Sequence, residues 1–260
     1  MRIAAGIEYD GSRYGGWQAQ AHDPNTLQAR VESALARVAD HPVAVICGGR
    51  TDAGVHAGAQ VIHFDTEAER PMHAWVMGSN AHLPDAIALR WAMPVSDAFH
   101  ARYSALRRAY RYVILNRRYR PALLARRACF EHRPLAIEPM QQAANFLLGE
   151  HDFSSFRAAA CQARSPVRTL ERLEVRRQGE LVVLEVEANG FLHHMVRNIA
   201  GVLLAIGAGE KPPAWAQEVL LACDRRAGGV TAQPWGLYLA RIDYPSEFAI
   251  PQLSPPPLVW

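Results

Sequence analysis

The chain has 260 residues, half of them apolar, enough for one large domain or two modest ones with a buried core. Disorder needs low hydrophobicity and high net charge, and this chain has neither. The longest uncharged apolar run, 199–208, falls far short of the ~18–20 residues that span a bilayer. Glu8 and Asp10 interrupt the first apolar run, so no secretory leader is expected. Cys47, Cys129, Cys161 and Cys223 are widely spaced and contain no Cys-x-x-Cys. That pattern points to a reduced, cytoplasmic protein with neither a disulfide framework nor a zinc knuckle.

Alternation over 2–10 predicts a first strand. Gly11, Gly15 and Gly16 then form a loop around Tyr14 and Trp17. Thr26 is placed to cap a helix over 27–39, with Leu27, Val31, Ala34, Leu35 and Val38 on one face. Pro42 interrupts. Residues 43–47 read as a short β-branched strand before a glycine-rich turn, 48–54. Residues 59–65 return as a strand, 71–80 form a helix and 87–92 a strand.

A second half repeats the rhythm. It holds a strand over 108–116, a helix over 139–148 and a hairpin of 170–177 with 181–188. A strongly apolar helix over 193–208, a helix over 215–223 and a strand over 237–244 follow. The expected fold class is α+β, in two α/β halves, 1–104 and 105–245. Pro245 to the C-terminus holds five prolines, so 246–260 is expected to be a mobile or polyproline-like tail.

Charge is unevenly distributed. The formal total is +3, and Lys211 is the only lysine among 28 basic residues. Ten arginines and one acid, Glu131, lie between Arg102 and Arg133, so that stretch carries +9 and the remainder −6. Concentrated guanidinium groups point to a polyanionic partner, because they bind phosphate bidentately and stack on bases. A solvated surface in an arginine-rich composition is the plainer account.

Three segments could carry chemistry. In Gly48-Gly49-Arg50-Thr51-Asp52-Ala53-Gly54-Val55-His56-Ala57, a strand runs into a glycine-rich turn that presents an arginine and an aspartate. Loops on rigid scaffolds are where catalytic groups gather, although Asp-x-Gly is also ordinary turn chemistry. In Arg107-Arg108-Ala109-Tyr110-Arg111-Tyr112, a strand puts both tyrosines on one face and Arg111 on the other. Aromatic rings beside guanidinium groups are a platform for an unstacked base, and equally a half-buried strand with core tyrosines. In 190–199, Arg197 sits among apolar residues and calls for a carboxylate partner. Asp52, Glu185 and Glu187 are the candidates. Adjacent residues diverge on a helix or strand, so His193 and His194 are not expected to share a metal ion. No metalloprotease, nucleophile-elbow, dinucleotide, phosphate-loop or EF-hand motif occurs.

Taken in order, Tyr9-Asp10-Gly11, Gly16-Trp17-Gln18, 49–57, Leu83-Pro84, Phe99-His100-Ala101-Arg102 and Tyr110-Arg111-Tyr112 closely resemble the TruA family of tRNA pseudouridine synthases. So do Asp152-Phe153-Ser154-Ser155-Phe156, 191–198 and Gly236-Leu237-Tyr238-Leu239. The resemblance spans roughly 3–245. It implies two similar α/β halves sharing a central mixed, mainly antiparallel sheet with helices packed on it, and an arginine-lined cleft between the halves. It implies conversion of uridine to pseudouridine at the thirty-eighth to fortieth nucleotides of tRNA, in the anticodon stem-loop. It also implies a homodimer that needs no metal and no organic cofactor, with tRNA as partner and no membrane.

By that resemblance Asp52 is catalytic, Tyr110 lies against the target base and Arg197 is the basic partner of Asp52. Arg50 supports the loop and reaches RNA. His56, Arg102, Arg107 and Arg108 join Tyr110 and Arg50 in binding substrate. The rival readings are a related synthase acting on other RNA uridines, a non-catalytic RNA-binding protein on the same scaffold, and a glycosidase using Asp52 with a second carboxylate.

Overall fold

The computed structural model describes residues 1–20 and 23–252, so the proline cluster 255–257 of the expected tail lies outside the described residues. The chain divides into two compact units. One is Met1–Arg107 with the residues from Tyr238 on, and the other is Arg108–Leu237. Both are α+β, and their strands pair mostly antiparallel.

In the first unit, β1 (Arg2–Tyr9) pairs antiparallel with both β3 (His56–Asp65) and β4 (Ile87–Val95). Every residue of β3 except Asp65 is buried, as a central strand requires. The other edge of β3 is shared. Short β2 (Ile46–Cys47) pairs with its C-terminal half, and β10 (Leu237–Asp243) runs parallel to its start. That pairing joins the last strand to the N-terminal unit, where chain order alone places it with the second half.

α1 (Leu27–Ala39) begins where expected, with Thr26 Oγ1 accepting from the Ala29 N–H at 3.4 Å. Its buried stripe is Leu27, Val31, Ala34, Leu35 and Ala39. α2 (Met72–Asn80) packs beside it and sets Trp75 on Phe64 of β3, with ring centres 5.2 Å apart. After β10, 246–248 form a 3-10 turn, and Phe248 lies 5.2 Å from the Phe99 ring. The first part of the expected mobile tail is therefore folded, anchored by an aromatic contact.

The second unit is built on β5 (Arg107–Asn116), β9 (Leu181–Ala188), β8 (Val167–Gln178) and β7 (Gly149–Asp152), hydrogen-bonded in that order. β6 (Cys129–Glu131) runs parallel to the end of β5. Sequence periodicity missed β6 and β7, because three or four residues are too few to show a period. α3 (Ile137–Asn145) packs on β8 and on α4 (Met195–Gly207). α5 (Trp215–Ala222) closes against the 154–156 turn. α4 starts two residues later than periodicity predicts, because His194 takes a left-handed conformation, φ +63°. The four cysteines are free thiols. No helix among the described residues is long and apolar enough to cross a membrane.

Candidate active site

The 48–55 turn joins β2 to β3, and buried polar groups hold it. Gln60, fully buried on β3, reads the backbone of Gly49 twice: its Nε2 donates to the carbonyl at 2.5 Å and its Oε1 accepts from the N–H at 3.1 Å. The Tyr9 hydroxyl bonds the Thr51 hydroxyl at 2.8 Å, and both side chains are buried. The Trp17 N–H donates to the Thr51 carbonyl at 2.9 Å. Gly16 presses on the same backbone: with φ +97°, a Cβ there would stand 3.0 Å from the Thr51 carbonyl and 3.1 Å from the Asp52 and Ala53 backbone. Only glycine fits that approach.

On this braced turn Asp52 is half-buried and Arg50 exposed. The Asp52 carbonyl accepts from the Val55 N–H at 3.1 Å. Gln60 was not singled out in the sequence. Its one legible signal is an amide in an otherwise mostly small and apolar strand.

His56, expected at the substrate, is 2% exposed. Its ring stacks on Tyr238, and its Nδ1 lies 3.2 Å from both Asp10 Oδ1 and the Gly11 N–H. The hydrogen bond from His56, the largest effect, holds the Asp10 carboxyl far below the usual carboxylate range. This placement favours bracing the end of the loop over touching substrate. Arg102 is exposed, with its guanidinium 5.6 Å over the exposed Tyr103 ring, and Arg107 is exposed as well.

Near them His63 is 2% exposed and accepts from the Ala101 N–H at 3.1 Å. Burial, followed by His100 and Arg2, pushes its pKa down to about 4. The unfolded chain therefore binds a proton at His63 first. The stabilisation is full above about pH 6.5 and is lost as pH falls toward 4, at a cost of about 3 kcal/mol. Denaturant titrations across that window are expected to show a steeper loss in the parent than in His63→Asn, which keeps an acceptor for Ala101; His100, also lowered by burial, contributes to both. Equal pH slopes would remove His63 from the account.

In the second unit Tyr110 and Tyr112 share a face of β5, as alternation predicts, and both are buried. Phe191 meets the Tyr110 ring edge-on at 5.0 Å. The Tyr112 hydroxyl donates to the Gln233 carbonyl at 2.7 Å, and burial raises its pKa well above 10. That tyrosine is committed to structure. Arg197, in the first turn of α4, is half-buried. Its Nε donates to the Ala232 carbonyl at 2.9 Å, and its own carbonyl accepts from the Ala232 N–H at 3.1 Å.

Glu185, one candidate partner for Arg197, is instead ringed by Arg111 at 3.1 Å, Arg172 at 2.9 Å and Arg176. The His193 and His194 rings do not diverge. Their centres lie 4.0 Å apart, because the left-handed His194 turns both to one side. The expectation that they cannot share an ion therefore loses its geometric basis. Arg108 is half-buried on β5.

Comparison with known proteins adds the family. A model described as tRNA pseudouridine synthase matches residues 5–104 and 143–245, and Tyr110 falls between those stretches. A protein of Nitrosococcus oceani named tRNA pseudouridine synthase A is 60% identical over 260 residues, covering all of both chains. Its namesake in Pseudomonas aeruginosa is 58% identical over 96% of this chain and 88% of its own. That of Vibrio cholerae is 54% identical over 99% and 97%. A solved structure titled "Crystal Structure of a Cbf5-Nop10-Gar1 Complex" aligns with 91% of this chain and 48% of its own. Its TM-score is 0.39 at 12% identity, too slight to carry an argument. The Asp52 turn and the Arg197 helix both lie inside the matched stretches, and relatives align along the full length, so the chain belongs to the tRNA pseudouridine synthase family.

Proposed function

We propose that this protein isomerises uridine to pseudouridine in tRNA, at the thirty-eighth to fortieth nucleotides, with Asp52 as nucleophile or base. The observation that carries the reading is a carboxylate on a turn held by buried hydrogen bonds, within a chain 60% identical to a named tRNA pseudouridine synthase A. The reaction breaks the bond from uracil N1 to the sugar C1′, turns the base and joins C5 to C1′. No atoms enter or leave.

Asp52 attacks the sugar or removes its 2′ proton. Both roles use the carboxylate, and Arg197 is the cation assigned to favour that form. Tyr110 holds the freed uracil while it turns, and its hydroxyl helps move the C5 proton. The uridine must first leave its stack, at a cost of a few kcal/mol. Contacts from Arg50, Arg102, Arg107 and Arg108 to phosphate offset that cost. The protein is proposed, on the family resemblance, to work as a cytoplasmic homodimer without metal or organic cofactor; the isomerisation is redox-neutral and calls for no redox cofactor.

Incubation with unmodified tRNA transcripts, followed by mapping of pseudouridine by nucleotide, tests the reading. Modification confined to the anticodon arm and surviving chelator supports it. Binding with no pseudouridine would leave the non-catalytic reading, and modification elsewhere would leave the related synthase.

The brace on the turn makes a separate prediction. Gln60→Leu strips both hydrogen bonds from Gly49 while filling similar space. Catalytic geometry slipping by about 1 Å costs on the order of 100-fold. Turnover is expected to fall by about 10- to 100-fold while tRNA affinity stays within about 3-fold. A parallel loss of affinity and turnover, or no loss of either, would show that Gln60 does not position Asp52.

A further inference from the structure

We propose that Asn198, acting with Thr231 and Arg225, is a positioning residue that fixes the Arg197 guanidinium for the reaction. The proposal rests on the reading in which Arg197 is the cation assigned to Asp52, and deepens it.

Arg197 has to be held. It is the third residue of α4, and a cation in the first turn faces the positive end of the helix dipole. Its long side chain also has many rotamers to lose. One grip on it is the backbone of Ala232. The Ala232 carbonyl accepts from Arg197 Nε at 2.9 Å, and the Ala232 N–H donates to the Arg197 carbonyl at 3.1 Å. A bond at Nε, the root of the planar fork, sets the direction of the whole guanidinium. That direction therefore depends on where the segment carrying Ala232 lies.

The segment, 228–232, is neither helix nor strand. It begins with two glycines, and Val230 in its middle is exposed, so its middle gains little from apolar burial. A polar network fixes it instead. The Thr231 hydroxyl donates to Asn198 Oδ1 at 2.7 Å. Arg225 Nη2 bonds that same oxygen at 3.1 Å, the Thr231 hydroxyl at 3.0 Å and the Gly229 carbonyl at 3.0 Å. Asn198 is buried, and its Nδ2 donates to the Phe156 carbonyl at 2.7 Å. Satisfied buried networks of this kind make their surroundings rigid.

Helix and segment therefore meet in adjacent rungs, Arg197 with Ala232 and Asn198 with Thr231. Gly201 lets them approach: a Cβ there would stand 1.9 Å from the Val230 carbonyl. The rung of Asn198 and Thr231 keeps the neighbouring carbonyl in place, and that carbonyl aims Arg197.

The test separates aim from stability. Thr231→Val keeps the shape and removes the hydroxyl, Thr231→Ser keeps the hydroxyl, and Asn198→Ala removes the amide. The control is Gln141→Leu in the same unit. It strips two bonds that tie α3 to β8, from Gln141 Nε2 to the Leu173 carbonyl at 3.2 Å and from the Val175 N–H to Gln141 Oε1 at 2.7 Å. Single-turnover rate under excess enzyme, tRNA Kd and Tm are measured for each. Because a slip of about 1 Å costs on the order of 100-fold, Asn198→Ala is expected to lose about 100-fold in rate and Thr231→Val about 10-fold, with Kd within about 3-fold. Thr231→Ser is expected to stay within about 2-fold of the parent rate. Gln141→Leu is expected to lower Tm while its rate also stays within about 2-fold.

Combining Thr231→Val with Arg197→Met reads the route. Losses that act through one group do not add, so the valine is expected to cost less than about 2-fold on that background. The full loss repeated there overturns action through Arg197. Parent-like rates in both Asn198→Ala and Thr231→Val, or an equal rate loss in Gln141→Leu, overturn the positioning role. Should Asn198→Ala unfold or Arg197→Met make no measurable product, Thr231→Val against Thr231→Ser and Gln141→Leu decides. A parent-like rate for Arg197→Met overturns its assignment to Asp52, and a parent that makes no pseudouridine overturns the enzymatic reading itself.

Discussion

Asp52→Ala is expected to lower pseudouridine formation by at least about 10⁴-fold while tRNA affinity stays within a few-fold. Removing a nucleophile or base takes away an interaction made only as the reaction proceeds, so the loss falls on turnover rather than on binding. The buried framework of the turn predicts that the protein survives the change. The hydrogen bonds to Gly49 and Thr51 come from Gln60, Tyr9 and Trp17, and the Asp52 carboxylate takes part in none of them. Thermal stability of the variant should therefore match the parent. Asp52→Asn refines the test, because it keeps the volume and removes the charge. It is expected to be as inactive as the alanine variant. Single-turnover assays under excess enzyme check both, and parent-like turnover by either would remove Asp52 from the mechanism.

Tyr110→Phe is expected to lower the single-turnover rate by about 100-fold with little change in tRNA affinity. General acid–base assistance is worth about 10²- to 10⁴-fold, whereas the ring proposed to hold the base is retained. The edge-on contact with Phe191 at 5.0 Å needs the ring and not the hydroxyl, so the side chain should keep its place. Tyr112→Phe is the informative contrast. That hydroxyl is spent on the Gln233 carbonyl, and its loss should lower stability by about 1 kcal/mol with a much smaller effect on rate. An unchanged rate for Tyr110→Phe would remove its hydroxyl from proton transfer.

Much of the fold was legible because its signals are local. Thr26 and the apolar stripe after it specify α1, and the alternation of Tyr110, Arg111 and Tyr112 specifies a strand with two faces. The motif around Asp52 was equally legible, since a glycine-rich turn after a short β-branched run needs no distant partner to be seen. What escaped depends on partners outside the few neighbouring residues that a local pattern covers. β6 and β7 exist because β5 and β8 offer them an edge. Gln60 looks like a misplaced amide until Gly49 is found against it. His56 is expected at the substrate by the resemblance, but its ring is enclosed by Asp10, Gly11 and Tyr238.

The amino-acid sequence by itself determined the α+β class, the family and the turn that presents Asp52. Periodicity, capping and short motifs are properties of neighbouring residues. Tertiary structure alone decided that the last strand completes the first unit by lying parallel to β3, and that Glu185 is engaged by Arg111, Arg172 and Arg176. It alone decided that Arg111, Arg117 and Arg133 are tied to carboxylates. Strand pairing and ring stacking act through space, as between His56 and Tyr238, 182 positions apart in the chain. No local pattern encodes such a meeting.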